Sequence, residues 1–262
     1  MQEEAGSPTT GTSAPDTAGA EGRSGGDLRE RVLDALGQVY DPELDEPITE
    51  LRFIGSCEVS ADGDVDIMLR LPTPQCAPNF AFLMGADSRR IVRELEGVRE
   101  VVIRFEDHYT GEEINSALNR GAGFTGAFPG ETDDDDLEAL RELFTRKALI
   151  ARQSKICEGL RRQGVGDLEL VEMTVAQLPA TPEAARVLEL RRMLGIAADA
   201  DAPGFVQPNG ERVGIDQLKR WLRAAQLVRV SLEANGEICR GLLQGRHRLT
   251  VQSDVQERRQ TT

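Results

Sequence analysis

Three prolines fall within the seven residues Pro72-Thr73-Pro74-Gln75-Cys76-Ala77-Pro78. Neither a strand nor a helix interior accommodates that density, because each proline fixes φ and removes a backbone donor. The segment is a rigid loop, with Pro78 suited to the first turn of a following helix. Before it, Val65, Ile67, Leu69 and Leu71 alternate with Asp66, Met68 and Arg70, the period of a strand with one core face. Leu51 to Ser60 is apolar enough for a partner strand, and Ala61-Asp62-Gly63-Asp64 supplies the turn between them. After the loop, Phe80, Leu83, Met84, Ile91 and Leu95 recur at helical spacing to a stop at Gly97, and Val98 to Phe105 reads as a further strand. Upstream, Asp27 caps a helix whose Leu28, Val32, Ala35 and Leu36 share a face, which ends before Asp41-Pro42 and a turn reaching Pro47. Helix, hairpin, helix, strand makes a compact α+β unit.

The flanking sequence sets the expected domain organisation. Residues 1–26 are rich in Gly, Ser, Thr, Ala and Pro and carry almost no large apolar side chain, so they read as a disordered tail. The α+β domain occupies residues 27–112, and an acidic, glycine-containing linker follows over 113–136, where the run Asp133 to Asp136 repels itself too strongly to converge on a metal. From 137 to 250 the chain is mainly helical. Leu140, Phe144, Ala148, Ile156 and Leu160 mark one helix, Thr181-Pro182-Glu183 opens a second that stops at Gly195, and Ile215, Leu218, Trp221, Leu222 and Ala225 mark a third. Leu227 to Glu233, Asn235-Gly236 and Glu237 to Leu243 then read as a β-hairpin about a type I′ turn. Residues 251–262 are expected to be a loose tail. The fold class is therefore α+β: a small helix-hairpin-helix-strand domain followed by a mainly α domain with a β-hairpin.

Composition narrows the function. With 31 Lys and Arg against 45 Asp and Glu, the net charge is −14, which argues against binding nucleic acid through its phosphates. No apolar run approaches the roughly 18 residues of a membrane span, and no secretory or transit signal is visible, so a cytoplasmic protein is expected. Two histidines, His108 and His247, exclude schemes built on several imidazoles. The cysteines, Cys57, Cys76, Cys157 and Cys239, are too scattered for a disulfide framework and are expected as reduced thiols.

Cys76 stands out among them because it lies at a loop-to-helix junction, where the positive end of the helix favours thiolate over thiol and a thiolate binds metals such as iron. A buried, inert cysteine is the competing reading. Cys57 in a strand, Cys157 on a helix and Cys239 in the last hairpin read as core. Asp41-Pro42-Glu43 forms a second polar cluster at a helix stop. His108, beside Glu106 and Asp107 at a strand end, is a weaker metal candidate set against a solvated turn. His247, between Arg246 and Arg248, reads as a surface basic patch. No arrangement of nucleophile and base is evident, so no enzyme is expected.

Asp41-Pro42-Glu43, then Ile48 and Leu51, a hairpin, and a Thr/Pro-rich loop ending in Cys76 before a helix together resemble the metal-sulfur cluster biosynthetic family that includes the SufT and PaaD proteins. The similarity covers about Leu28 to Phe105 and leaves the C-terminal part as an unrecognised extension. Pro74 and Cys76 match the family loop. Thr73 falls one place closer to the cysteine than the commonest Thr, while Gln75 replaces a small residue and Ala77 a proline. The resemblance implies that Cys76 is the cluster-binding or transfer thiol, with Asp41, Glu43 and Thr73 as supporting groups. It implies a factor that assembles or matures iron-sulfur clusters or iron centres, carrying the cluster or iron transiently for a client metalloprotein, with an iron-dependent multicomponent oxygenase as one such client. A metal-free assembly chaperone or adaptor is the alternative. Client recognition is assigned to the C-terminal part, and a homodimer is left open.

Overall fold

In a computed structural model, which describes the backbone of residues 18–260 and the side chains of residues 27–246, the alternating stretch around Ile67 forms the central strand of a three-stranded sheet. Helix α1 (Ala18–Leu36) leads into a two-residue ladder between β1 (Tyr40–Asp41) and β2 (Glu46–Pro47), which closes the turn between them. Strand β3 (Ile54–Val59) pairs antiparallel with β4 (Asp64–Leu69). Helix α2 (Pro78–Arg93) then carries the chain across so that β5 (Glu100–Phe105) pairs with β4 in parallel. Val65, Ile67, Leu69 and Leu71 are all buried, as the alternation requires. The hairpin turn depends on glycine. Gly63 sits at φ +83°, and a Cβ there would lie 2.1 Å from the carbonyl oxygen of Gly97.

The segment expected as a linker belongs in part to this domain. Helix α3 (Gly111–Arg120) buries Ile114, Ala117 and Leu118 in the first core, and a short helix α4 (Phe124–Ala127) adds Phe124. A boundary at residue 112 would cut α3. The reason for α3 lies at the open edge of β5, whose backbone groups have no further strand to pair with. Asn119 accepts from the Ile103 N–H (3.0 Å) and donates to the Ile103 carbonyl (2.9 Å), while the Asn115 side chain accepts from the Phe105 N–H (2.8 Å). Two asparagines one helical turn apart thus stand in for a missing strand.

The C-terminal half is built from α5 (Glu138–Arg162), α6 (Asp167–Glu172), α7 (Pro182–Met193) and α8 (Ile215–Gln260) around a second core containing Leu149, Cys157, Leu170, Val187 and Leu190. The expected β-hairpin is absent. Residues 227–243 lie inside α8, whose backbone also continues through 251–260, where a loose tail was expected. Locally, Leu227 to Glu233 and Glu237 to Leu243 read as strands about the Asn235-Gly236 turn. However, Leu218, Trp221, Ala225, Gly236 and Leu243 are buried at helical spacing, no proline intervenes, and Asn235-Gly236 has no sheet to turn back into. At 46 residues, α8 is about 69 Å long at roughly 1.5 Å per residue. The first helix also differs, since its backbone begins at Ala18 and not at Asp27. Residues 1–17 of the expected disordered tail, and the side chain of His247, lie outside the described residues. Among the described residues no helix is long and apolar enough to cross a membrane.

The two halves are joined by ion pairs and by apolar packing. Asp45, only 4% exposed, meets Arg152 of α5 (2.8 Å) and Arg186 of α7 (2.6 Å), and the Arg186 guanidinium lies 3.5 Å from the centre of the Tyr40 ring. Arg141 of α5 pairs with Asp87 of α2 at 2.6 Å, and Phe80 packs edge-on against Phe144. Asp45 adopts a left-handed backbone conformation (φ 51°), which Asn also tolerates, so Asp45→Asn removes the charge with little backbone cost. Because it strands a largely buried guanidinium, the substitution is expected to lower unfolding free energy by ~3 kcal/mol in urea titrations. A loss below ~0.5 kcal/mol would show that the pair does not hold the halves together.

Candidate thiol site at the carboxyl ends of the parallel strands

Because β4 and β5 run parallel, the loops that follow them leave the sheet on the same side. The first is the proline-rich loop with Cys76, and the second carries His108 and Tyr109. They are clamped together: the Tyr109 N–H donates to the Pro74 carbonyl (3.1 Å), and His108 Nε2 lies 2.8 Å from the Cys76 carbonyl oxygen. A carbonyl only accepts, so Nε2 carries the proton. His108 Nδ1 then accepts from the backbone N–H (3.3 Å) and the hydroxyl (3.1 Å) of Thr110. Both ring nitrogens are committed, and burial holds the imidazole pKa below its ordinary value against the opposing pull of the Cys76 carbonyl. His108 positions the thiol loop and has no free nitrogen for a metal.

Within the loop, the Cys76 N–H donates to the Thr73 carbonyl (3.3 Å), and the Thr73 hydroxyl lies 3.7 Å from Cys76 Sγ. Thr73 is therefore in contact with the thiol despite its shifted position in the loop. Cys76 is half-buried, and α2 begins two residues later without a side-chain cap.

Asp41 and Glu43 lie in the turn between β1 and β2. Asp41 Oδ1 accepts from the backbone N–H groups of Glu43 and Leu44, both at 2.9 Å, and so fixes the turn. Burial, reinforced by Glu43 and Glu46, raises its carboxyl from 3.8 to about 6 against those two hydrogen bonds. The residues that meet this turn from the other side come from α8. Asn235 Nδ2 donates to Glu43 Oε1 (3.0 Å), and Arg240 pairs with Glu46 (2.8 Å). Further along the same helix, Leu243 is buried in the first core, and Arg246 donates to the Leu71 carbonyl and pairs with Asp107 at 2.8 Å.

Cys239 sits among these contacts, half-buried and packed against the same core as Cys76. Its thiol is pushed up to about 11, first by burial and then by its electrostatic neighbours Asp41, Cys76 and Glu43, with Arg240 opposing. The structure thus places Thr73 beside Cys76 and Asp41 beside Glu43, and Cys239, which sequence reasoning had assigned to a hairpin core, has electrostatic neighbours in both groups. The available signal was the helical stripe Asn235, Cys239, Leu243 and Arg246. Among the described residues no three Cys, His, Asp or Glu side chains converge as a metal cage. The site offers one thiol on a surface loop and a second on α8. One cleft of about 420 Å³ is lined by Asp41 and Pro42 together with Arg141 and Arg186, and another of about 570 Å³ lies between α5 and α8 beside Trp221.

Two measurements check these environments. Burial raises Cys57 and takes Cys157 up to about 12. At pH 8 a thiol at that value is ionised to roughly one part in ten thousand, so iodoacetamide is expected to modify Cys76 in the folded protein and leave Cys157 unmodified. Equal labelling of the two would contradict the placement. For Asp41 the folded pKa lies above the unfolded one, so its contribution to stability is complete below about pH 4 and is lost as pH rises through about 6. Asp41→Asn keeps the acceptor and removes that loss. Its stability relative to the parent should therefore rise from pH 4 to pH 7 by on the order of 2 kcal/mol, about 1.4 kcal/mol per pKa unit. A pH-independent difference would refute the buried-carboxylate assignment.

Residues 29–103 match the model of a family described as iron-sulfur cluster assembly protein. An uncharacterized protein of Methanocaldococcus jannaschii is 33% identical over 90 residues, covering 34% of this chain and 93% of that protein. The Fe-S protein maturation auxiliary factor of Porphyromonas gingivalis is 31% identical over 97 residues, 36% of this chain and 90% of the relative. The iron-sulfur cluster carrier protein of Mycobacterium tuberculosis is 42% identical over 55 residues, which span 21% of this chain and only 14% of that longer protein.

Proposed function

The chain belongs to the iron-sulfur cluster assembly protein family through residues 29–103, and from that membership we propose that it takes part in maturing iron-sulfur proteins, with Cys76 as the thiol that contacts the metal. The observation that carries the reading is the presentation of Cys76. Its loop is stiffened by prolines, clamped from β5 by His108 and Tyr109, and leaves the thiol half-exposed at the carboxyl edge of two parallel strands. Iron in a cluster takes four ligands, usually cysteine thiolates and sulfides. A loop with one accessible thiol leaves positions open to sulfide and to a client's own cysteines, which suits transient carriage. The cluster or iron is cargo here, passed on without catalytic turnover.

On this reading the receiving partner is a client metalloprotein. The resemblance to PaaD-type proteins favours an iron-dependent multicomponent oxygenase, and the second domain supplies surface for recognising it. Anaerobic reconstitution of the full chain with ferrous iron and sulfide tests the proposal. Bound iron with charge-transfer absorption and a Mössbauer signature is expected for the parent chain, with at least a tenfold reduction in Cys76→Ala at unchanged circular dichroism. Equal iron in both proteins would remove Cys76 from the chemistry and leave a metal-free adaptor.

A further inference from the structure

The family match ends at residue 103, and Cys239, on α8, lies far outside it. From the docking of α8 we infer that Cys239 and Cys76 form a two-thiol site, one thiol from each half of the chain, for a thiophilic metal ion. The inference deepens the proposed function and rests on it for the identity of that metal as cluster iron, whereas the two-thiol site itself does not.

The argument starts from the helix. Asn235, Cys239, Leu243 and Arg246 follow one another at spacings of four, four and three, so they occupy one face of α8. Three of the four are fixed to the first domain by contacts independent of Cys239. Asn235 is bonded to Glu43, Leu243 is buried in the first core, and Arg246 holds the Leu71 carbonyl, five residues before Cys76. The face is thereby held between the Asp41–Glu46 turn and the proline-rich loop. Cys239, in the middle of the stripe, packs half-buried against the same core as Cys76, and its electrostatic neighbours are Asp41, Cys76 and Glu43. Arg240, the next residue, is engaged in pairs with Glu46 and Glu237.

The thiols of Cys76 and Cys239 and the carboxylates of Asp41 and Glu43 are therefore gathered between the turn and the loop. A soft metal ion answers both features, because thiolates are its preferred ligands and its charge relieves the negative field. Binding displaces one proton from each thiol to solvent and transfers no electrons. Two thiolates leave the remaining positions of a tetrahedral iron to sulfide. On the proposed function, α8 thus closes the loading site within one chain, and a client would displace Cys239 to receive the cluster.

The probe for the pair is phenylarsine oxide. Its trivalent arsenic condenses with two neighbouring thiols to form two As–S bonds, releases one water and stays trivalent. The full-length reduced protein is expected to bind one arsenical per chain. Affinity should fall at least tenfold in Cys76→Ala and in Cys239→Ala, and in Cys239→Ser as a more conservative variant, and stay unchanged in Cys157→Ala. Circular dichroism and urea midpoints identify any variant that has lost its fold. Undiminished binding by both folded Cys239 variants would overturn the inference. Iron reconstitution of the same proteins separates it from the proposed function. Iron lost in Cys76→Ala but fully kept in Cys239→Ala sinks the two-thiol site and leaves the function standing. Arsenical binding that needs both cysteines, in a parent chain that retains no iron, supports the site and sinks the iron-sulfur reading.

Discussion

The six residues from Asp41 to Glu46 hold the molecule together. Asp41 closes the turn on its own backbone, Asp45 engages Arg152 of α5 and Arg186 of α7, and Glu43 and Glu46 take Asn235 and Arg240 of α8. Every major helix of the second half except α6 is thus tied to one acidic turn of the first. The energetic weight is unequal. Partly exposed pairs such as Arg240 with Glu46 contribute about 1 kcal/mol or less, whereas the buried Asp45 is costly to leave unmatched. Leu243, almost fully buried in the first core, adds roughly 1.5–3 kcal/mol of apolar burial. That contact fixes the part of α8 that carries Cys239.

The second organising fact is the parallel pairing of β4 with β5. It requires a crossover, supplied by α2, and it sends two loops out from one edge. An antiparallel pairing would have placed His108 at the opposite end of the sheet from Cys76. In the parallel arrangement the imidazole becomes a clamp on the thiol loop, and the cysteine is presented on a rigid backbone. Ligand sites at the carboxyl ends of parallel strands recur in α/β proteins for the same geometric reason.

Much of the first domain was legible in the chain. The alternation around Ile67, the proline-rich loop and the helical stripe from Phe80 to Leu95 each point to one structure through local chemistry. Helix α3 was hidden because its apolar content is slight, and its purpose, capping the β5 edge through Asn115 and Asn119, appears only when the strand order is known. The helix through Asn235-Gly236 was missed for the converse reason: a strong local turn signal was overridden by burial of α8 against both cores. Of the site, Cys76, Asp41, Glu43 and Thr73 could be picked out along the sequence. Cys239 could not, because its meaning depends on how α8 docks against a turn and a loop more than 160 residues earlier in the chain.

The central claim, that α8 brings a second thiol to Cys76, is tested most directly with dibromobimane, which becomes strongly fluorescent when both of its arms have alkylated thiols, releasing two bromides. The account predicts rapid fluorescence in the reduced full-length protein and a tryptic product in which the peptides of Cys76 and Cys239 are joined. Adducts attached to Cys76 alone, with no joined peptides, would contradict it.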